Sequence, residues 1–146
     1  MERVKVKKLD ENATIPTYGS EFSAGCDLYA CMESDLTIKK GETFLVPTKL
    51  SVEIPIGFAG LIYARSGLAS KKGLAPANKV GVIDSDYRGE IMVALHNHSN
   101  VDQKIDKNER VAQMIITPFL KVDFEETDDL SNTARGAGGF GSTGNK

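Results

Sequence analysis

A chain of 146 residues, 40% hydrophobic and 26% charged, is sized for one domain and composed for a water-exposed globular fold. Its net charge of −2 supplies no global positive field, which argues against a general nucleic-acid binder and leaves any nucleotide to be met by local charge or a metal. No apolar run is long enough for a membrane span and no secretory leader is visible, so an intracellular setting is expected, cytoplasmic or, in a eukaryotic or viral context, nuclear.

Period-2 alternation dominates and predicts strands. Val4-Lys5-Val6-Lys7 alternates, which puts Lys5, Lys7 and Lys8 on a solvent face. Residues 26–30 read as a strand after Gly25. Cys26 and Cys31 should then face opposite sides, so neither a disulfide nor a two-thiol metal site is expected. Short strands follow at 43–45, 50–54 and 60–63, punctuated by Pro47, Pro55 and Gly57. Residues 66–73 form the one predicted helix. Ser66 stands at the capping position, Lys71 and Lys72 end it, and Gly73 stops it. Residues 80–83 and 90–95 flank the polar turn 84–89 and read as a hairpin. Residues 111–117 are apolar on both faces, as in a fully buried strand. The pattern fails beyond Phe124. The expected organisation is a β domain over 1–125 and a mobile glycine-rich arm over 126–146, in which five of the nine residues from Gly136 to Gly144 are glycine. Many short strands with turn signals between them argue for an all-β sandwich or barrel.

Several places carry chemistry, each with a plain alternative. In the arm, glycine amides and the forked guanidinium of Arg135 suit an anion, and Phe140 is an odd residue for a linker unless it stacks on a base. Residues 136–143 nearly spell a phosphate-loop motif, but Ser142 stands where lysine is needed and no strand leads into it, so that reading fails. Arg65, Ser66 and Gly67 open the short helix, where free amides suit phosphate oxygens; an ordinary capped helix would look the same. Asp84 and Asp86 in the polar turn offer a general base toward water, and Tyr87 a flat face for a sugar, although aspartate is common in turns. Gln113 interrupts the most apolar strand and needs partners, either backbone or ligand. His96 and His98 flank Asn97 without a surrounding ligand set, which reads as a strand end near the surface.

Taken in order, these segments resemble the trimeric dUTP pyrophosphatase (dUTPase) family along nearly the whole chain. All five of its motifs are legible: Ala24-Gly-Cys-Asp-Leu-Tyr-Ala30, Arg65-Ser-Gly-Leu-Ala69, Asn78-Lys-Val-Gly-Val-Ile-Asp-Ser-Asp-Tyr-Arg-Gly-Glu-Ile91, Glu109-Arg-Val-Ala-Gln-Met-Ile115, and the tail from Arg135 to Gly144. Ala64 departs from the proline common before the second motif, which implies a slightly looser turn.

The resemblance implies a distorted jelly-roll-like β-barrel with one short helix and a swapped C-terminal arm. It also implies a homotrimer with active sites shared between subunits: one chain gives the first, second and fourth motifs, another the Asp84 turn, and another the arm. The implied reaction is Mg2+-assisted hydrolysis of dUTP to dUMP and pyrophosphate, limiting uracil in DNA and supplying dUMP for dTMP synthesis. By the same resemblance, Asp84 activates the water that attacks the α-phosphorus, and Tyr87 packs under the deoxyribose. Asn78 and the Met92 backbone read the uracil edge, with Val82 and Ile83 lining its slot. Arg65, Ser66, Gly67 and Gln113 hold phosphates. Asp27 supports the metal's water shell or the catalytic carboxylate. Arg135 grips the γ-phosphate, Phe140 covers the base, and Gly141, Ser142 and Thr143 close the phosphate cage. Two other readings use the same residues. A dCTP deaminase shares a similar fold but would not be expected to combine the Asp84/Tyr87 turn with this tail. A nucleotide-gated interaction module would have no need of Asp84, Gln113 and Arg135 together.

Overall fold

The computed structural model describes residues 3–139. Phe140, Gly141, Ser142 and Thr143 lie outside the described residues. The chain runs β1 (Lys5–Lys8), β2 (Thr17–Tyr18), β3 (Cys26–Tyr29), β4 (Leu36–Ile38), β5 (Thr43–Pro47), β6 (Leu50–Glu53), β7 (Phe58–Tyr63), α1 (Ser66–Lys72), β8 (Leu74–Pro76), β9 (Gly81–Ile83), β10 (Met92–Asn97), β11 (Gln103–Ile105) and β12 (Arg110–Pro118). The strands at β3, β5, β6, β7, β9, β10 and β12 match the alternation read from sequence. The very short β2, β4, β8 and β11 were not legible there, because two or three residues carry too little period to register.

Every ladder is antiparallel. A five-stranded sheet has the order β2-β3-β12-β7-β9, and a three-stranded sheet the order β5-β10-β8; β1 pairs with β6 and β4 with β11. Among the described residues these ladders do not close into a ring. The sheets instead face one shared core, in which Leu28, Ala112 and Met114 of the larger sheet meet Val46, Val93 and Leu95 of the smaller. Each fully buried leucine, isoleucine or valine contributes about 1.5–3 kcal/mol, so this face-to-face core dominates the fold's stability. A small second cluster of Ala13, Cys31 and Leu50 lies under β1.

Local sequence explains the element ends. In β1 only Val6 turns inward, and Lys5 pairs with Glu53 at 2.7 Å across the ladder. The helix begins one residue earlier than its sequence suggests: Arg65 is the N-cap and makes no side-chain cap bond, while Ser66 already lies inside the first turn. Gly73 ends it with φ 65, a left-handed cap that only glycine adopts cheaply. Cys26 and Cys31 are both buried with free thiols, one in each hydrophobic cluster, and burial pushes both thiols above their ordinary range.

The expected hairpin across 84–89 does not form. β9 pairs with β7 in the larger sheet, and β10 lies between β5 and β8 in the smaller one. The turn between them therefore spans two sheets. Among the described residues β12 is the last regular element and ends at Pro118. Phe119 is tied back by its amide to the Gly57 carbonyl at 3.1 Å, and Leu120, Phe124 and Leu130 beyond it are exposed.

Between the two histidines sits a structural hub. Asn97 is fully buried; its amide nitrogen donates to the Ile38 and Val101 carbonyls at 2.9 and 2.8 Å, and its oxygen accepts from the Ser99 amide and hydroxyl. Asn97→Ala orphans these groups together and is expected to destabilise the fold by about 3 kcal/mol, since each buried unpaired group costs about 1–3 kcal/mol. An unfolding free energy from denaturant titration that falls by less than a third of that would refute the hub. His98 is exposed at the strand end, and desolvation first, then the charges of His96 and Lys79, push it below the usual imidazole range. It is therefore neutral near pH 7 and adds no cation for a phosphate.

Candidate functional site

Two groups of sequence-predicted residues assemble in the chain, and a third element stays apart. The first group is built on β3, β12 and the end of β7. Asp27 and Gln113 face each other in register across the β3–β12 ladder, and Gln113 also faces Tyr63 on β7. Gln113 is half-buried and its amide donates to the Ala64 carbonyl at 2.8 Å, so the position that departs from the family's proline supplies the anchor. The Gln113 oxygen turns toward Gly25, where an added Cβ would sit 2.7 Å from it. A glycine next to Cys26 is thus what gives Gln113 its pose.

Asp27 is the charge centre of this group. Its Oδ1 accepts from Arg65 Nε at 2.8 Å and its Oδ2 from Arg110 Nη1 at 3.0 Å; its side chain is only 13% exposed. Arg65 also donates to the Arg110 carbonyl at 3.2 Å. A carboxylate held between two guanidiniums fixes both of them, through charge-assisted bonds about twice as strong as neutral ones. Arg65 keeps unused donors directed by this clamp, because Asp27 takes only its Nε. Ser66 and Gly67 follow, both exposed, and a Cβ at Gly67 would meet nothing within 4 Å. Glycine inside a helix costs about 1 kcal/mol against alanine. Among the described residues no neighbour requires it there, and the space above Gly67 is open.

The second group lines a cavity of about 220 Å³ formed by Val82, Ile83, Asp84, Tyr87, Glu90 and Met92. Five of these were predicted from sequence. Val82, at the sheet edge, is 60% exposed, and Asp84 is exposed at the cavity's side. The Tyr87 amide donates to the Asp84 carbonyl at 3.1 Å, closing the turn with main-chain atoms alone. The Tyr87 hydroxyl donates to the Glu90 carbonyl at 3.0 Å. Asn78 is exposed in the preceding turn beside Gly81 and does not line this cavity.

β9 lies three strand spacings from β3, about 14 Å at ~4.8 Å per strand. Among the described residues no hydrogen bond links the cavity group to the Asp27–Arg65–Gln113 group. Arg135 joins neither: it is exposed, and its Nε donates to the Gly138 carbonyl of its own segment at 2.8 Å. Sequence reading missed Arg110, because nothing local marks it as the second arm of a clamp on a residue 83 positions earlier. It also missed the positional roles of Gly25 and Glu90, although both stand inside the motifs.

Among the described residues no three His, Cys, Asp or Glu side chains converge as a metal cage. The donors fit a looser arrangement. After accepting from the arginines, each Asp27 oxygen keeps a second lone pair. Mg2+ retains several waters and is usually held by one or two carboxylates with substrate phosphates. Asp27 therefore suits contact with such an ion through water. No helix among the described residues is long and apolar enough to cross a membrane.

A larger cavity, about 790 Å³, lies elsewhere, between the Asp10–Asn12 turn, residues 31–36 and β5. It shares only Met92 with the smaller one and gathers none of the other predicted residues.

Known proteins resemble the chain along nearly its whole length. A dUTPase family model matches residues 11–144. The chain is 48% identical over 143 residues to a deoxyuridine 5'-triphosphate nucleotidohydrolase of Rickettsia felis, covering 97% of each chain. It is 49% identical over 142 residues to one of Nautilia profundicola, covering 97% of this chain and 99% of that one. Among solved structures it resembles the Staphylococcus bacteriophage 80alpha dUTPase G164S mutant with dUpNHpp, with a TM-score of 0.90, 26% identity and 99% of both chains covered. The family match over residues 11–144, with relatives 48% and 49% identical over almost the whole chain, shows that this chain belongs to the dUTPase family.

Proposed function

We propose that the protein hydrolyses dUTP to dUMP and pyrophosphate in sites shared between subunits of a homotrimer. The observation that carries the reading is the split of the site residues: the Asp27–Arg65–Gln113 group and the Asp84–Tyr87 cavity are each well formed, yet separated within one chain. Bringing the Asp84 turn of one copy against the arginine clamp of another completes the set. The arm over 126–146 then serves as a lid on a neighbouring site, which also accounts for the exposed Leu130.

In this reading Arg65, Ser66, Gly67 and Gln113 hold the phosphate chain, with Gly67 allowing close approach. Uracil lies in the slot of Val82, Ile83 and the Met92 backbone, with Asn78 at its edge, and Tyr87 packs under the sugar. Asp84 accepts a proton as water oxygen bonds to the α-phosphorus; the bond to the bridging oxygen breaks, and pyrophosphate leaves with that electron pair. Mg2+, held by the phosphates and touched through water by Asp27, supplies charge neutralisation when bound. Arg135 adds positive charge where the leaving group becomes more negative. A uracil slot walled by backbone excludes the extra methyl of dTTP by collision, which favourable apolar contact alone discriminates poorly. Two buried free thiols suit the cytoplasm, a reducing compartment.

The test is a panel of dUTP, dTTP, dCTP and UTP with and without Mg2+. The expected result is Mg2+-stimulated pyrophosphate release from dUTP alone. Ammonia release from dCTP would establish a deaminase in its place, and binding without turnover would leave an interaction module.

A further inference from the structure

We propose that Gly89 is a positioning residue for sugar selectivity, because its missing Cβ is the space in which the Tyr87 ring lies. The inference rests on the reading of Tyr87 as the surface beneath the deoxyribose. Tyr87 is held at both ends, its main chain by the amide donating to the Asp84 carbonyl at 3.1 Å and its ring by the hydroxyl donating to the Glu90 carbonyl at 3.0 Å. A side chain that leaves residue 87 and ends on residue 90 must pass over residue 89. The three heavy atoms nearest a Cβ built on Gly89 all belong to Tyr87: the hydroxyl, Cζ, and Cε2 at 2.9 Å. Gly89 is not among the residues with positive φ, so its backbone would accept any side chain. The Tyr87 ring alone demands the glycine.

The surrounding backbone gives the ring no easy escape. Arg88 Nη1 donates to the Ser85 and Tyr87 carbonyls at 2.7 and 2.9 Å. The Ser51 hydroxyl holds the Arg88 carbonyl at 2.8 Å, and the Glu90 carboxylate accepts from the Lys49 amide at 3.0 Å. With the main chain braced from β6 and from the turn before it, a methyl at 89 must displace the ring from the Glu90 carbonyl. The wall of the cavity that faces the sugar then moves.

The experiment compares Gly89→Ala, Tyr87→Ala and the double variant with wild type, reading the ratio of kcat/KM for dUTP over UTP. Gly89→Ala is expected to lower that ratio by about tenfold or more, the scale on which a misfit methyl group counts. Added to Tyr87→Ala, the same change should alter the ratio by less than about twofold, because the group it collides with is gone. An unchanged ratio in Gly89→Ala, or an equal loss in both backgrounds, overturns the proposal. Tyr87 ring resonances, assigned by their absence in Tyr87→Ala, report the pose without catalysis; unshifted resonances in Gly89→Ala also overturn it. If Gly89→Ala melts early, the double variant should melt together with Tyr87→Ala, and a further drop below Tyr87→Ala counts against the collision. A wild-type chain that leaves dUTP intact would sink the dUTP reading instead, while the resonances would still decide where the ring lies.

Discussion

Asp84→Asn is expected to retain dUTP and lose its hydrolysis, with kcat falling by about a hundred- to ten-thousand-fold, the range that a positioned general base contributes. The substitution is nearly isosteric, and asparagine is at home in turns. The turn closes through the Asp84 carbonyl and the Tyr87 amide, which the change does not touch. The cavity walls Val82, Ile83 and Met92 are likewise unaltered. Binding measured by calorimetry with a non-hydrolysable analogue should therefore stay close to wild type while steady-state turnover collapses. Wild-type turnover in the variant would mean that another group activates the water. Loss of binding together with turnover would make Asp84 a ligand contact rather than a base.

Removing residues 134–146 should be nearly as damaging to turnover and harmless to the fold. Core burial among the described residues ends at Met114 and the last strand at Pro118, so the described part of the deleted segment contributes nothing to the buried core. It does take Arg135 and the glycine-rich amides. One well-aimed donor at a developing charge is worth about a hundred- to a thousandfold in rate, and the deletion removes several. Thermal unfolding and size-exclusion chromatography should match the full chain, with kcat/KM down by at least that factor. Retained turnover would end the lid role of the arm. A lowered melting temperature would show that the arm carries stability as well.

The sequence made the all-β character legible because alternation survives wherever one side of a strand is buried, as in Val6 and in Phe58–Tyr63. It misread the partnering of two strands. Apolar segments on either side of a polar turn usually pair with each other, but β9 finds β7 and β10 finds β5 and β8; alternation reports which face is buried and not which strand lies alongside. At the site, residues inside compact motifs were readable one by one. Their couplings were not: Asp27 meets Arg65 and Arg110 from 38 and 83 positions away, and Gly25 serves a glutamine on another strand. Such contacts are created by register, which no local spelling encodes. The helix start was misplaced for a similar reason, since a serine suited to capping sits one residue inside a helix that Arg65 opens without a cap bond.

The turn that joins two sheets constrains how this protein can vary. A loop closing a hairpin can gain or lose residues and let its two strands stay paired. The stretch from Asp84 to Ile91 behaves as a strut, because its two ends are fastened to sheets held apart by a common core. One residue more or fewer would shift Tyr87 relative to Val82 and Met92, which the two sheets hold in place. Substitution is a different matter at Asp86, which is exposed and lines no part of the cavity. Libraries that vary the identity of residue 86 at fixed length should keep active members, and libraries that vary the length of the strut should yield folded proteins without a working site.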